Sequence, residues 1–497
     1  MNWRHLMIAA TLLPIVPAHA ADGRASGLRL YTQLQEAIRL EQAKDPKGCV
    51  KKVHRLIGAS DFGRQNDQFR GYTYYMGAIC SLAVDKEVAG RDFAVQATLA
   101  GNAAPEMWRL RSGLEMRNEA QPVAAVTGLE AMAARALDAL NALPQQWIYV
   151  FYKRIKKGSD LALRRRTLEL FAAKTYVPVE VGGSADYFRS ELAMLHAADG
   201  NRISASTLIA TITQPSTLLD LSLDPRTRDL IPGRFDVRAA TERELARRRD
   251  VAASHPTSLD AVIDVADALR WLGRYEEALA GLAAASPEGA AGASFTDRNE
   301  KLNWWWDAVG YANAYLGHYD TALAAFRHGI DNKEDGQFNV SQSINLANQQ
   351  MIFGRNEDAI KTLEPLPEGK GTSPYGRMQL IGVRGCVRFR AGHKTGADAD
   401  YAYAKANEQN APHTLTSLAL CRNDLDVAAA SLVRRLDDVE RRVDALLMVS
   451  EFDPPPAAYP KQVEDERLML VKARLEVKAA IARAGGARRF NLMSAPF

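Results

Sequence analysis

The sequence predicts an all-α fold: an α-solenoid of stacked antiparallel helical hairpins. Apolar residues recur at three- and four-residue spacing along nearly the whole chain, the period of a helix with one buried face. In the second half, a small residue (Ala266, Gly310, Ala347, Gly385) is followed seven positions later by a glycine (Gly273, Gly317, Gly354, Gly392). Five positions on comes a second small residue (Ala278, Ala322, Ala359, Ala397), and four further a large one (Leu282, Phe326, Leu363, Tyr401). The glycines lie 44, 37 and 38 residues apart, about the length of one hairpin in a repeat array.

Each position has a physical reason. Two antiparallel helices approach closely only where their facing side chains are small. The glycine suits the left-handed residue that ends a helix. The large residue fills the space toward the next hairpin, because one hairpin cannot bury its own apolar face. The clearest unit runs from Trp304 to Ile330, with Trp306, Val309, Gly310, Gly317, Tyr319, Ala322, Phe326 and Gly329. This pattern resembles the tetratricopeptide repeat, and the resemblance implies a right-handed solenoid. Asn356 and Lys394 stand where the family usually has an aromatic, and a degenerate fifth unit is expected from Leu415 to Arg435, with Ala428 and Leu432.

Taken in order, residues 1–20 read as a secretory signal: Arg4 and His5, an apolar core from Leu6 to Val16, and Ala18-His19-Ala20 as the cleavage site. That core is shorter than the ~20 residues that span a bilayer. Residues 21–176 read as an array of degenerate hairpins, with helices at Leu28 to Ala43, Cys49 to Ile57, Gln68 to Val84, Val88 to Leu99, Glu106 to Arg117, Pro122 to Leu143, Gln146 to Lys156 and Asp160 to Lys174. Residues 177–236 read as one hairpin, Ala185 to Ile212, followed by an irregular joint rich in Pro and Gly. The recognisable repeats occupy residues 237–436, entered through a helix from Arg238 to Ser254. Residues 437–497 hold a four-proline loop, Asp453 to Pro460, then a closing helix, Lys461 to Ala484, and a tail. A terminal helix covering the last hairpin is what a solenoid requires.

The signal places the mature chain outside the cytoplasm, and the order of its C-terminal part resembles exported, periplasmic tetratricopeptide proteins of proteobacteria. Four cysteines remain, an even number in an exported chain. Cys49 starts one predicted helix and Cys80 lies late in the next; Cys386 and Cys421 lie on first helices of adjacent units, offset by about 6 Å along the axis. Disulfides Cys49 to Cys80 and Cys386 to Cys421 are therefore expected, with four buried free thiols as the alternative. No paired Cys-x-x-Cys spacing points to zinc. Lys+Arg 63 against Asp+Glu 59 gives no basic field for nucleic acid.

No Gly-x-Ser-x-Gly, Ser-x-x-Lys or His-Glu-x-x-His motif is present. The loop Gly369-Lys370-Gly371-Thr372 lacks the upstream glycine and the Ser or Thr after Lys of a phosphate-binding loop. No catalytic residue, cofactor or metal is expected. The resemblance instead implies a binding groove lined by first helices. Carried onto this chain it comprises Asp267, Arg270, Trp271, Trp304, Tyr311, Tyr315, Asn348, Met351, Ile352, Gln379, Phe389 and Arg390. Aromatics and Arg carry much of the energy at interfaces. The expectation is a non-enzymatic scaffold for a protein or peptide partner, with glycan binding or processing in the cell envelope as the alternative. Oligomeric state is not specified by the sequence.

Overall fold

The computed structural model describes residues 24–101, 103–231, 233, 235–288, 294–332, 339–367 and 372–493. The secretory signal and the Gly369-Lys370-Gly371 part of the loop discussed above lie outside the described residues. Among those described, 26 α-helices account for the fold and one isolated bridge, Glu451 to Arg489, is the sole extended pairing. The chain divides into two compact units, one ending at Phe188 and the other beginning at Arg189. The division falls within the first helix of the hairpin expected from Ala185 to Ile212, upstream of the expected joint.

Unit 1 holds α1 (Arg24–Gln42), α2 (Pro46–Ile57), α3 (Asp67–Leu82), α4 (Glu87–Leu99), α5 (Pro105–Arg117), α6 (Pro122–Arg135), α7 (Leu137–Asn141), α8 (Gln145–Lys157) and α9 (Leu161–Ala172). The helix expected from Pro122 to Leu143 is two helices, because Ala136 leaves helical geometry at φ −151°, ψ 56°. Cys49 on α2 and Cys80 on α3 form a disulfide, their Cα atoms 6.0 Å apart. Gly77 has Phe93 packed where its Cβ would be, 3.0 Å away, the close approach expected of a degenerate repeat.

α10 (Asp186–Ala198) spans the division, and unit 2 continues with α11 (Arg202–Ile209), α12 (Pro215–Leu223) and α13 (Val237–Ser254). The five repeats are α14 (Leu259–Trp271) with α15 (Tyr275–Ala284), α16 (Arg298–Tyr315) with α17 (Tyr319–Asp331), α18 (Val340–Ile352) with α19 (Asn356–Leu363), α20 (Pro374–Arg390) with α21 (Lys394–Ala406), and α22 (Pro412–Cys421) with α23 (Leu425–Asp437). Then follow α24 (Arg442–Val449), α25 (Val463–Ala473) and α26 (Leu475–Ala484). The single closing helix expected from Lys461 is thus two, broken where Arg474 is extended at ψ 143°, and α12 and α24 are additions that the sequence pattern did not announce.

One turn builds all these hairpins. Gly273, Gly317, Gly354 and Gly392 sit at φ between 76° and 82°. The residue after each donates its N–H to the carbonyl five positions back: Arg274 to Leu269, His318 to Asn313, Arg355 to Gln350 and His393 to Arg388, at 2.7 to 2.9 Å. This 6→1 bond is the Schellman closure. The same bond closes the fifth unit around Asn423 (φ 60°), the α10/α11 pair around Gly200, and the unit 1 pairs α1/α2 and α3/α4 around Lys44 (φ 60°) and Asp85 (φ 57°).

The small residues do what their spacing predicts. A Cβ at Gly310 would lie 2.8 Å from the Phe326 ring, and Ala322, Ala347, Ala359 and Ala397 are fully buried. The end of unit 2 returns to its beginning: α24 packs on α12, Arg228 Nη1 donates to Gly485 O at 2.7 Å, and Met493 N donates to Trp271 O at 3.1 Å.

Candidate functional site

The groove side of the repeats in unit 2 is divided into a filled part and an open part. Residues 452–462, mostly proline and alanine without a helix, form a strap against the second repeat, with Tyr459 reaching Gln349 of the third at 3.5 Å. Three prolines in succession (Pro454 to Pro456) keep this segment extended. Tyr459 stacks on Tyr315 at 4.6 Å, and Tyr315 stacks on Tyr275 at 4.8 Å, so three tyrosine rings form one pile. Tyr319 donates its hydroxyl to Ala458 O. Ala458 Cβ occupies the space beside Gly317, 2.9 Å from where a Cβ would stand. Gly317 therefore serves both its left-handed turn and the strap. Tyr459→Ala is expected to cost about 1–2 kcal/mol, the stacking energy plus part of the buried ring area, read as a lower urea midpoint; an unchanged midpoint would show that the strap is not held there.

Past the strap the groove opens. A cleft of about 270 Å³ lies between α18, α20 and α22, with the start of α25 along one edge. Met351, Ile352, Val383 and Leu418 supply its apolar wall; Asn348, Gln379, His413, Thr414, Ser417, Gln462, Glu464 and Asp465 supply polar groups. Gly382 permits the tight crossing of α20 and α22, since a Cβ there would meet Thr414 Cγ2 at 2.5 Å. Cys386 and Cys421 join the same two helices through a disulfide, Cα atoms 5.8 Å apart, and both residues line the cleft.

The polar groups differ in how far they are satisfied. Gln379 Nε2 lies 2.8 Å from His413 Nε2, and burial holds the His413 imidazole below its usual pKa, with Asp444 opposing and Arg435 adding to the shift. Neutral His413 thus accepts from the Gln379 amide. Arg390 binds Glu464 and also reaches Met351 O at 3.4 Å. In contrast, Thr414 is 4% exposed and its hydroxyl has no hydrogen-bond partner. Burial raises the Asp465 carboxyl, with neighbouring Glu464 adding to the shift.

The residues assigned to the groove from sequence fall into two sets. Asn348, Met351, Ile352, Gln379 and Arg390 come together in the cleft lining. The others do not join them. Trp271 is 6% exposed with Arg248 over its ring at 4.9 Å. Arg270 pairs with Asp267 at 2.9 Å and lies over Tyr311 at 5.0 Å, while Tyr311 meets Phe326 edge-on and Tyr315 lies in the tyrosine pile. Trp304 remains 40% exposed. Phe389 is exposed but packs under Arg422 at 5.1 Å, outside the cleft lining. The sequence reading missed His413, Thr414 and Ser417, because no groove positions were carried onto the fifth unit, and Gln462, Glu464 and Asp465, which arrive from beyond the repeats.

No protein-family model and no curated protein sequence matches the chain. Solved structures do: the APC/C hetero-tetramer Cut9-Hcn1, at 13% identity over 91% of this chain and 89% of that one, with a TM-score of 0.30; the C-terminal part of a TPR repeat-containing protein of Cytophaga hutchinsonii, at 14% identity over 61% and 99%, with a TM-score of 0.24; and yeast Tom70, at 10% identity over 92% and 99%, with a TM-score of 0.23. Similarity at this level leaves partner and activity to be argued from the chain itself. Its own helices and turns are those of stacked tetratricopeptide-type hairpins.

Proposed function

We propose that the chain is a non-enzymatic scaffold that holds an extended segment of a protein partner in the cleft between α18, α20 and α22. The observation that carries this reading is a partly apolar cleft edged by accessible polar side chains: Asn348, Gln379, Ser417 and Gln462 beside Met351, Ile352, Val383 and Leu418. Polypeptide backbone offers alternating donors and acceptors, and side-chain amides such as Asn348 match either. The strap supports the extended form, since it lies non-helical over the neighbouring repeats. Among the described lining residues there is no Trp, Tyr or Phe, and exposed Tyr375 stands beside the cleft, 6.0 Å from His413, so backbone hydrogen bonding is better supported than a sugar held between aromatic walls. An exported, periplasmic location rests on the secretory reading of residues 1–20 and suits two disulfides. No described helix is long and apolar enough to cross a membrane.

The test is selection of displayed random peptides on the intact protein, followed by affinity measurement on Asn348→Ala and Ser417→Ala. Each variant is expected to bind the selected peptides about tenfold more weakly, the loss of one hydrogen bond to a desolvated group, with an unchanged melting temperature. Failure to select any peptide, or equal affinity of both variants and wild type, would refute the cleft as a peptide site.

A further inference from the structure

Cys386 Sγ, Cys421 Sγ and a Glu464 carboxylate oxygen lie within 4.8 Å of one another. They come from α20, α22 and α25, which is why no local Cys spacing shows them together. We propose that the reduced form of this cluster is a binding site for one thiophilic divalent cation, of which zinc is the natural example, with the disulfide as its oxidised, metal-free form.

The geometry fits without moving a helix. Tetrahedral zinc with Zn–S of about 2.3 Å and Zn–O of about 2.0–2.2 Å places sulfur and oxygen ~3.6 Å apart. Glu464 Oε1 lies 3.8 Å from Cys386 Sγ. With the Cα atoms of the two cysteines 5.8 Å apart, side-chain rotation alone separates the sulfurs to the ~3.8 Å that two zinc thiolates require. Glu464 is already oriented for the role: its other oxygen, Oε2, is held by Arg390, so Oε1 is the one that faces the sulfur. A hydrogen-bonded partner that fixes a ligating carboxylate is the usual outer support of a metal site. Arg390 also offsets the net negative charge left by two thiolates and one carboxylate around a dication. Three protein ligands leave a fourth position, and because all three residues line the cleft, that position faces the cleft space, as at zinc sites that accept an exogenous ligand.

The redox step is a thiol–disulfide exchange. A dithiol gives two electrons and two protons to the Cys386–Cys421 bond, producing two thiols, and departs as its own disulfide. Zinc then displaces both thiol protons, so binding weakens as pH falls.

The test uses the intact chain, either oxidised or reduced with a phosphine and desalted without oxygen, titrated with Zn²⁺ against a chromogenic chelator and with Co²⁺ by absorption. The expected result is one additional equivalent of Zn²⁺ on reduction, a thiolate-to-cobalt charge-transfer band, and loss of both in Cys386→Ser/Cys421→Ser, whose residual binding measures Cys49 and Cys80. Glu464→Gln keeps the charge-transfer band and weakens Zn²⁺ at least about tenfold. Equal zinc binding by reduced wild type and the double serine variant would overturn the proposal, as would an unweakened Glu464→Gln or a cluster disulfide that resists the phosphine. If the double variant does not fold, the Glu464→Gln comparison on reduced protein decides alone.

Discussion

Asp400→Ala is expected to lower the unfolding free energy by about 3 kcal/mol, the low end of the cost of breaking a buried ion pair by removing one partner. Asp400, on α21, is 3% exposed and takes Arg384 through both carboxylate oxygens, at 2.6 and 3.1 Å, and Arg388 at 2.9 Å. Arg384 is 8% exposed on α20, so without Asp400 its guanidinium loses two charge-assisted hydrogen bonds where little water can replace them. The pair also sets the spacing of the hairpin, since Asp400 Cβ lies 3.0 Å from where Gly385 would carry its own. The cleft is affected in turn: α20 supplies Gln379, Gly382, Val383, Cys386 and Arg390 to its lining. Replacing both partners, as Arg384→Met with Asp400→Leu, is expected to restore most of the stability, because an apolar pair of similar volume needs no desolvation repaid. Urea unfolding of the single and double variants measures both. A single-variant loss below about 1 kcal/mol would mean that the pair is solvated.

Asp307 is expected to make the protein less stable as pH rises. Burial pushes its carboxyl up to about 7, opposed by the Asn345 amide and reinforced by Asp267. It is 4% exposed, Oδ2 accepts from Asn345 Nδ2 at 2.7 Å, and Oδ1 has no partner. In the unfolded chain the same group ionises near 3.8. Between these values the folded protein binds the extra proton, so stability falls with rising pH across that interval. The penalty is absent below pH 3.8, grows between there and about pH 7, and is complete above. Asp264, pushed up to about 6 mainly by burial, adds to the same slope. Asp307→Asn removes the ionisation and is expected to gain about 1–3 kcal/mol at pH 8 relative to pH 5, measured by urea unfolding at the two pH values. An identical pH dependence in the variant and the wild type would show that water reaches Asp307.

The repeats from Leu259 onward were legible because their turn residue is glycine, and glycine marks a left-handed position by its chemistry. The hairpins of unit 1 were harder to read for the same reason reversed. Lys44 and Asp85 take the same left-handed geometry, and neither residue type announces it. Asn423 at the fifth turn is an intermediate case, since asparagine tolerates that region better than most side chains. Both disulfides follow from helix register, which is a local property. The groove was legible only where nothing distant covers it. Asn348, Met351, Gln379 and Arg390 could be placed from their own repeats, but the fate of Tyr315 is decided by Tyr459, and that of Trp271 by Arg248 of α13, which lies over its ring. Helical periodicity identifies an aromatic on a face; it does not say which other segment packs over it. The breaks at Ala136 and Arg474 were invisible for a simpler reason, because both residue types are good helix formers.

The central claim is that the strap covers Tyr315 and the turn of the second repeat and leaves peptide binding to the cleft beyond. Hydrogen–deuterium exchange of the intact protein with and without a selected peptide tests it directly. The account predicts new protection in residues 343–352, 378–390, 413–421 and 460–466, with exchange in 259–271 and 302–315 unchanged. Protection that falls instead on 259–271 and 302–315 would contradict it, because the peptide would then have displaced the strap and occupied the aromatic half of the groove.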